Sequence, residues 1–183
     1  LAEPCVSAAW GDVNNDGFLD LFVCTVKGPG RLYLGDGKGG FKDATAAAGL
    51  DKLPPAFAAS FADLDDDGDL DLVLNLGRKA VVLINEMDRA AECGSLTVSI
   101  AVAKGLVGAV VRVADAKGRP TGLRELSGAE GCGGQAAPVA HFGLAAGKYQ
   151  VSVCLTDGRD AQKNVAIDAG KAAQMDLDAT AYK

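Results

Sequence analysis

The sequence predicts an all-β protein in which two blade-like repeats are followed by a small β-sandwich. Three observations carry this. An aspartate-rich loop feeding an apolar strand occurs twice, at Asp12–Asp20 and at Asp63–Asp71, 51 residues apart. From Leu96 onward, apolar and polar residues alternate, which is the period of a half-buried strand. Glycine is plentiful, at 24 of 183 residues, while aromatics are scarce, a balance that favours tight turns and closely approaching strands over long helices.

The first repeat opens with a strand at Ser7–Gly11 that enters the loop Asp12-Val13-Asn14-Asn15-Asp16-Gly17-Phe18-Leu19-Asp20. A buried strand, Leu21–Val26, leaves it, and Lys27-Gly28-Pro29-Gly30 turns the chain into a third strand at Arg31–Leu34. A second turn, Gly35-Asp36-Gly37-Lys38-Gly39-Gly40, leads to Phe41 and an alanine-rich outer segment ending at Gly49-Leu50. The second repeat runs through Phe57–Ala62, Leu72–Leu76 and Ala80–Ile84, without the glycine turn or the fourth element. At a constant offset of 51, Trp10 aligns with Phe61, Asp12 with Asp63, Gly17 with Gly68, Asp20 with Asp71, and Leu32-Tyr33 with Leu83-Ile84. A period of about 50 residues built from short strands is the signature of propeller blades or a solenoid.

Asn85–Glu92 is a polar connector with helical character, and it sets the domain boundary: 1–88 holds the repeats (about 1–50 and 51–88), and 89–183 the sandwich. In the sandwich the inward positions are Leu96, Val98, Ile100, Val102; Ala109, Val111, Val113; Tyr149, Val151, Val153, Leu155; Val165, Ile167; and Met175, Leu177. Turns at Ala116-Lys117-Gly118, Ala146-Gly147 and Thr156-Asp157-Gly158 join antiparallel strands, and Gly118-Arg119-Pro120 also reads as turn chemistry.

The chemistry lies in the acidic loops. Asp63–Asp71 packs six carboxylates into nine residues, and like charges so crowded need a cation. Oxygen donors at loop positions 1, 3, 5 and 9, with glycine at 6 to turn the backbone, suit a hard ion that takes six to eight oxygen ligands, above all Ca2+. Position 12 is apolar in both loops (Val23, Leu74), so neither is an EF-hand. A solvated aspartate turn is the plainer reading; two in-register copies, each feeding an apolar strand, favour calcium.

The net charge of −6 is concentrated in these loops and argues against nucleic acid as a partner. Two bound Ca2+ ions would bring it to about −2. No apolar run reaches the length of a membrane span, and no signal peptide opens the chain. Cys5, Cys24, Cys93, Cys132 and Cys154 show no metal-binding spacing; in an exported protein the simplest count is two disulfides and one thiol, set against buried reduced cysteines. His141 is the single histidine and reads as structural. Trp10 reads as a core residue of the first repeat rather than a sugar-stacking platform.

The run Ala9-Trp10-Gly11-Asp12 through Asp20-Leu21-Phe22-Val23, with Leu32-Tyr33-Leu34-Gly35-Asp36-Gly37-Lys38-Gly39-Gly40-Phe41 after it, resembles the FG-GAP/VCBS repeats of integrin α-subunit propellers and of secreted and bacterial surface proteins. It departs at Gly35, where the family usually has asparagine. Val107–Val113, Gly131-Cys132-Gly133-Gly134-Gln135, His141-Phe142-Gly143-Leu144 and Thr156-Asp157-Gly158-Arg159 resemble the ASPIC/UnbV domain that follows such repeats in cartilage acidic protein and its bacterial homologues. Gly147-Lys148-Tyr149-Gln150-Val151 is also similar to transthyretin-like and carboxypeptidase-regulatory sandwiches.

By position, the FG-GAP/VCBS resemblance implies calcium ligation by Asp12, Asn14, Asp16, Asp20 and the Phe18 carbonyl in one loop. In the other it implies Asp63, Asp65, Asp67, Asp71 and the Asp69 carbonyl, with Asp66 pointing outward. The expectation is an extracellular binding or adhesion module with two structural Ca2+ ions that pin the flanking strands in register. It is not expected to be an enzyme, and its partner would be a protein or a glycan. The alternative is a carbohydrate-active hydrolase or lyase with a calcium-supported site. A closed propeller takes four to eight blades, so two blades leave open sheet edges through which self-association is expected.

Overall fold

The computed structural model describes residues 4–86, 92–101, 105–127 and 139–178, and all of their regular structure is β. Val102, Cys132, the motif at 131–135 and most of the connector, including the boundary at 88/89, lie outside the described residues. The chain divides into two compact units, with β1 to β7 in the first and β8 to β14 in the second.

In the first unit, β1 (Cys5–Gly11), β2 (Asp20–Thr25), β3 (Arg31–Gly35) and β4 (Phe41–Asp43) form an antiparallel four-stranded sheet in sequence order. The second repeat supplies β5 (Ala58–Ala62), β6 (Asp71–Asn75) and β7 (Ala80–Leu83), an antiparallel sheet of three strands. Each repeat is thus a β-meander, and among the described residues the second has no outer strand, as its missing glycine turn foretells. Ala9, Phe22, Cys24 and Leu32 of the first sheet share one apolar cluster with Ala59, Leu72 and Leu74 of the second.

Strand pairing corrects the constant-offset alignment. Leu21 faces Tyr33 in the first sheet, and Leu72 faces Leu83 in the second. Tyr33 therefore corresponds to Leu83, and Leu32 to Val82. The cause is the connection before the third strand, which is residues 26–30 in the first repeat and one residue shorter, 76–79, in the second. Trp10 is a second correction: it is 53% exposed, not a core residue, and its ring meets Phe41 at a centroid distance of 6.0 Å.

The second unit is a sandwich. One sheet orders β10 (Pro120–Glu125), β9 (Val110–Asp115), β12 (Gly147–Cys154) and β13 (Asp160–Ile167); the other orders β11 (Val139–Ala145), β8 (Cys93–Ala101) and β14 (Ala172–Asp178). Leu96, Val98, Val111, Val113, Phe142, Val151, Val153, Met175 and Leu177 fill the space between them. These are the alternating positions of the sequence, with Phe142 added.

Two expectations differ here. Pro120 opens a strand rather than only closing a turn; β10 lies at the edge of its sheet, where the missing N–H of proline is tolerated. And β14 runs parallel to β8, not antiparallel. It arrives from the opposite sheet through the turn at 168–171, whose approach depends on Gly94: a Cβ there would run into the carbonyl oxygens of Asp168 and Lys171.

The four described cysteines, Cys5, Cys24, Cys93 and Cys154, are thiols and form no disulfide. Cys24 lies on the buried face of β2, and burial, with Cys5 nearby, pushes its thiol up to about 11. Only Cys24 fits the reading of a buried reduced cysteine; Cys5 and Cys154 are exposed and Cys93 is half-buried.

Candidate metal centre

Both acidic loops connect the first two strands of a meander, between β1 and β2 and between β5 and β6. Their backbones share two left-handed positions: the fourth, Asn15 (φ 54°) and Asp66 (φ 60°), and the sixth, Gly17 (φ 91°) and Gly68 (φ 89°). Glycine enters this region freely, and Asn and Asp are the side chains that tolerate it best. Composition and loop shape therefore have one cause.

The ninth aspartate of each loop is buried and holds the meander together. Asp20 Oδ2 accepts the Val13 N–H at 2.8 Å and Oδ1 accepts the Gly35 N–H at 2.9 Å. Asp71 repeats this, with Leu64 N–H at 2.9 Å and Asn85 N–H at 2.8 Å. Each carboxylate thus clamps the loop's start to the end of the third strand. A carboxylate oxygen has a second lone pair, so this bracing leaves capacity for a cation.

In the second loop, Asp63, Asp65 and Asp71 each present an oxygen within 4.8 Å of the others. Ca2+ binds oxygens at 2.3–2.6 Å, so donors on opposite sides of one ion stand about 5 Å apart, and the trio fits a single ion. Asp63 Oδ2 accepts the Gly68 N–H at 3.0 Å, while Oδ1 is buried with no hydrogen-bond partner. Burial pushes the Asp63 carboxyl above the usual carboxylate value; the Gly68 N–H pulls it back, and the charges of Asp67 and Asp66 raise it again. An orphaned buried carboxylate oxygen facing like charges is a strong reason for a cation.

The other expected ligands are placed as follows. Asp67 is exposed, outside the trio, and its Oδ1 accepts the Asp69 N–H at 2.8 Å; Asp69 is buried and Asp66 is exposed. In the first loop Asp12 and Asp20 are buried, and Asn14 and Asp16 are half-buried. Asn14 Nδ2 donates to Asp16 Oδ2 at 3.0 Å, and Asp16 N–H donates to Asn14 Oδ1 at 3.2 Å. Phe18 is exposed.

Sequence reasoning missed Asn85. Its Nδ2 donates to the Val13 carbonyl at 2.7 Å and to the Leu70 carbonyl at 3.1 Å, so one side chain joins both loops. It occupies the place of Gly35, which only a one-residue shift of the repeat alignment brings out.

Residues 8–74 match the FG-GAP-like repeat family. The FG-GAP-like segment begins in β1 and ends in β6. No curated protein matches the chain. Among solved structures the chain is similar to the Bacillus anthracis TIE protein, at 15% identity and a TM-score of 0.38, over 95% of this chain and 34% of that one. The chain thus spans about a third of the length of that structure.

Elsewhere, His141 is buried within β11 opposite Thr97, on the face turned away from the core residues Ala140, Phe142 and Leu144. A groove of about 520 Å3 on the second unit is lined by Asp115, Lys148, Tyr149 and Asn164, among others. Its carboxylate is already engaged by the Lys117 and Arg119 N–H groups and by Arg119 Nε. Among the described residues no helix is long and apolar enough to cross a membrane.

Proposed function

We propose that the chain is an extracellular calcium-braced binding module, in which each acidic loop holds one structural Ca2+ and the blades present surface for a partner. The observation that carries this reading is the buried, unpartnered Asp63 Oδ1 within the Asp63, Asp65 and Asp71 trio. Calcium would be held there by these three side chains, with Asp67 and the Asp69 carbonyl completing the set, and in the first loop by Asp12, Asn14, Asp16, Asp20 and the Phe18 carbonyl. The ion supplies positive charge; the residues of the chain do the bracing. With loop charge neutralised, the Asp20 and Asp71 clamps keep the third strands in register.

FG-GAP repeats are typical of extracellular proteins, where calcium is abundant enough to fill sites of modest affinity. The sandwich is read as ASPIC/UnbV-like, because His141-Phe142-Gly143-Leu144 falls within β11 and Asp157-Gly158 forms the turn between β12 and β13. The partner is a protein or glycan, and self-association through sheet edges belongs to the same reading.

Calorimetric titration of chelator-treated protein tests the calcium assignment. Two Ca2+ per chain are expected, falling to one in Asp63→Asn; no binding heat at millimolar Ca2+ would reject it.

A further inference from the structure

The outer face of the β10-β9-β12-β13 sheet is hollow at one end, and alanines make it so. Val113, Val151 and Ile167 turn to the sandwich core, so Ala114, Lys148, Gln150, Asn164 and Ala166 of the same strands point the other way. Ala114, Gln150 and Asn164 form one row across the sheet, and Lys148 stands opposite Ala166 in the next. The small side chains leave the longer polar ones standing around a groove of about 520 Å3, and Ala116 and Gly118 of the β9–β10 turn form one side of it. Clefts that hold small ligands span roughly 300–1,000 Å3.

The polar groups of the groove are unequally satisfied. Asp115 Oδ1 accepts the Lys117 and Arg119 N–H groups, and Oδ2 accepts Arg119 Nε and Nη2, each at 2.7 Å. Lys148, Gln150 and Asn164 are exposed, and among the described residues the Lys148 ammonium makes no ion pair and the two side-chain amides make no hydrogen bond. The groove thus offers one uncompensated positive charge beside two groups that each donate and accept.

We propose that this groove binds an acidic glycan, seating one uronate residue on Lys148, Gln150 and Asn164. The sugar carboxylate meets the Lys148 ammonium, and the ring hydroxyls, which donate and accept in turn, pair with both amides. A phosphate group offers acceptors only and carries more charge than one lysine neutralises. Peptide sites rely on aromatic or aliphatic anchors in pockets. This groove has none, because Tyr149 and Val165 pack on the core side and the Tyr149 hydroxyl donates to the Ala145 carbonyl at 2.8 Å. Without an aromatic platform the sugar is held by its polar edge, so binding is weak and falls with salt. The proposal rests on the reading of the chain as a binding module and names its class of partner.

An amide NMR titration of the intact chain in calcium with a galacturonate trimer tests it, with the neutral galactose trimer and triglutamate as comparisons. Saturable shifts are expected at Lys148, Gln150 and Asn164, including the side-chain amides. Lys148→Gln and Asn164→Ala should each weaken binding by about tenfold, the weight of one hydrogen bond to a charged or strongly polar group. Unchanged Val151 and Val153 signals report that the variants remain folded. The neutral trimer should bind less tightly by a similar factor. No saturation at millimolar uronate overturns the proposal, as do equal affinity for the neutral trimer and affinity that both variants retain. Triglutamate binding as tightly overturns it in favour of an acidic-peptide site, and shifts confined to the acidic loops overturn it by showing that uronate is drawn to calcium there. The groove is read at its own residues and calcium at the loops, so this result and the calcium titration can fail separately.

Discussion

Asn85 Nδ2 donates to the carbonyl of Val13 at 2.7 Å, which ties the end of the second repeat to the first acidic loop across 72 residues of sequence. The same amide reaches Leu70, while its backbone N–H holds Asp71. Asn85→Ala keeps the backbone bond and strands two carbonyls. It is expected to lower stability by about 1–3 kcal/mol in urea unfolding.

Asp63 carries the buried oxygen that has no partner, so charge rather than shape is the problem without metal. Asp63→Asn removes the charge at nearly constant volume. In chelator the variant should be as stable as wild type or more so; in calcium it should gain only part of the wild-type stabilisation. Paired melting curves would show both effects.

Asp66 is exposed and left-handed at φ 60°. Glycine adopts this conformation without strain, whereas a β-branched side chain does not. Asp66→Gly is expected to change stability by less than about 0.5 kcal/mol, and Asp66→Val to cost more than about 1 kcal/mol. Denaturant midpoints of the two variants provide the check.

Asp115 is held below the usual carboxylate value, first by the Arg119 N–H and then by the Arg119 side chain and the Lys117 N–H. A depressed folded value means that its contribution is present above the unfolded carboxylate value and is lost as pH falls through the folded one. The β9–β10 turn should therefore loosen on acidification. In a carboxyl NMR titration, Arg119→Ala should move Asp115 back toward the ordinary value.

Much of this architecture was legible because backbone shape and composition coincide. The loops needed Asn or Asp at the fourth position and glycine at the sixth, and both are written twice. The alternation from Leu96 marks the inward face of five of the seven sandwich strands, β8, β9, β12, β13 and β14. What stayed hidden depends on partners distant in sequence. Trp10 looks like a core residue because its counterpart Phe61 is packed against a blade, and nothing in the local sequence separates the exposed member of the pair from the packed one. Asn85 was masked by a turn one residue shorter than its counterpart. The parallel pairing of β14 follows from a crossover between sheets, which alternation along one strand does not record.

The account turns on whether the acidic loops hold calcium to keep the first unit folded. Thermal unfolding of the intact chain in chelator, followed by calcium readdition, tests this most directly. At roughly a hundredfold excess over its dissociation constant, each ion should add about 2.7 kcal/mol. For a chain of this size the midpoint should rise by about 5–10 °C per site, and Asp63→Asn should show only part of the rise. Superimposable curves in chelator and in calcium would contradict the account.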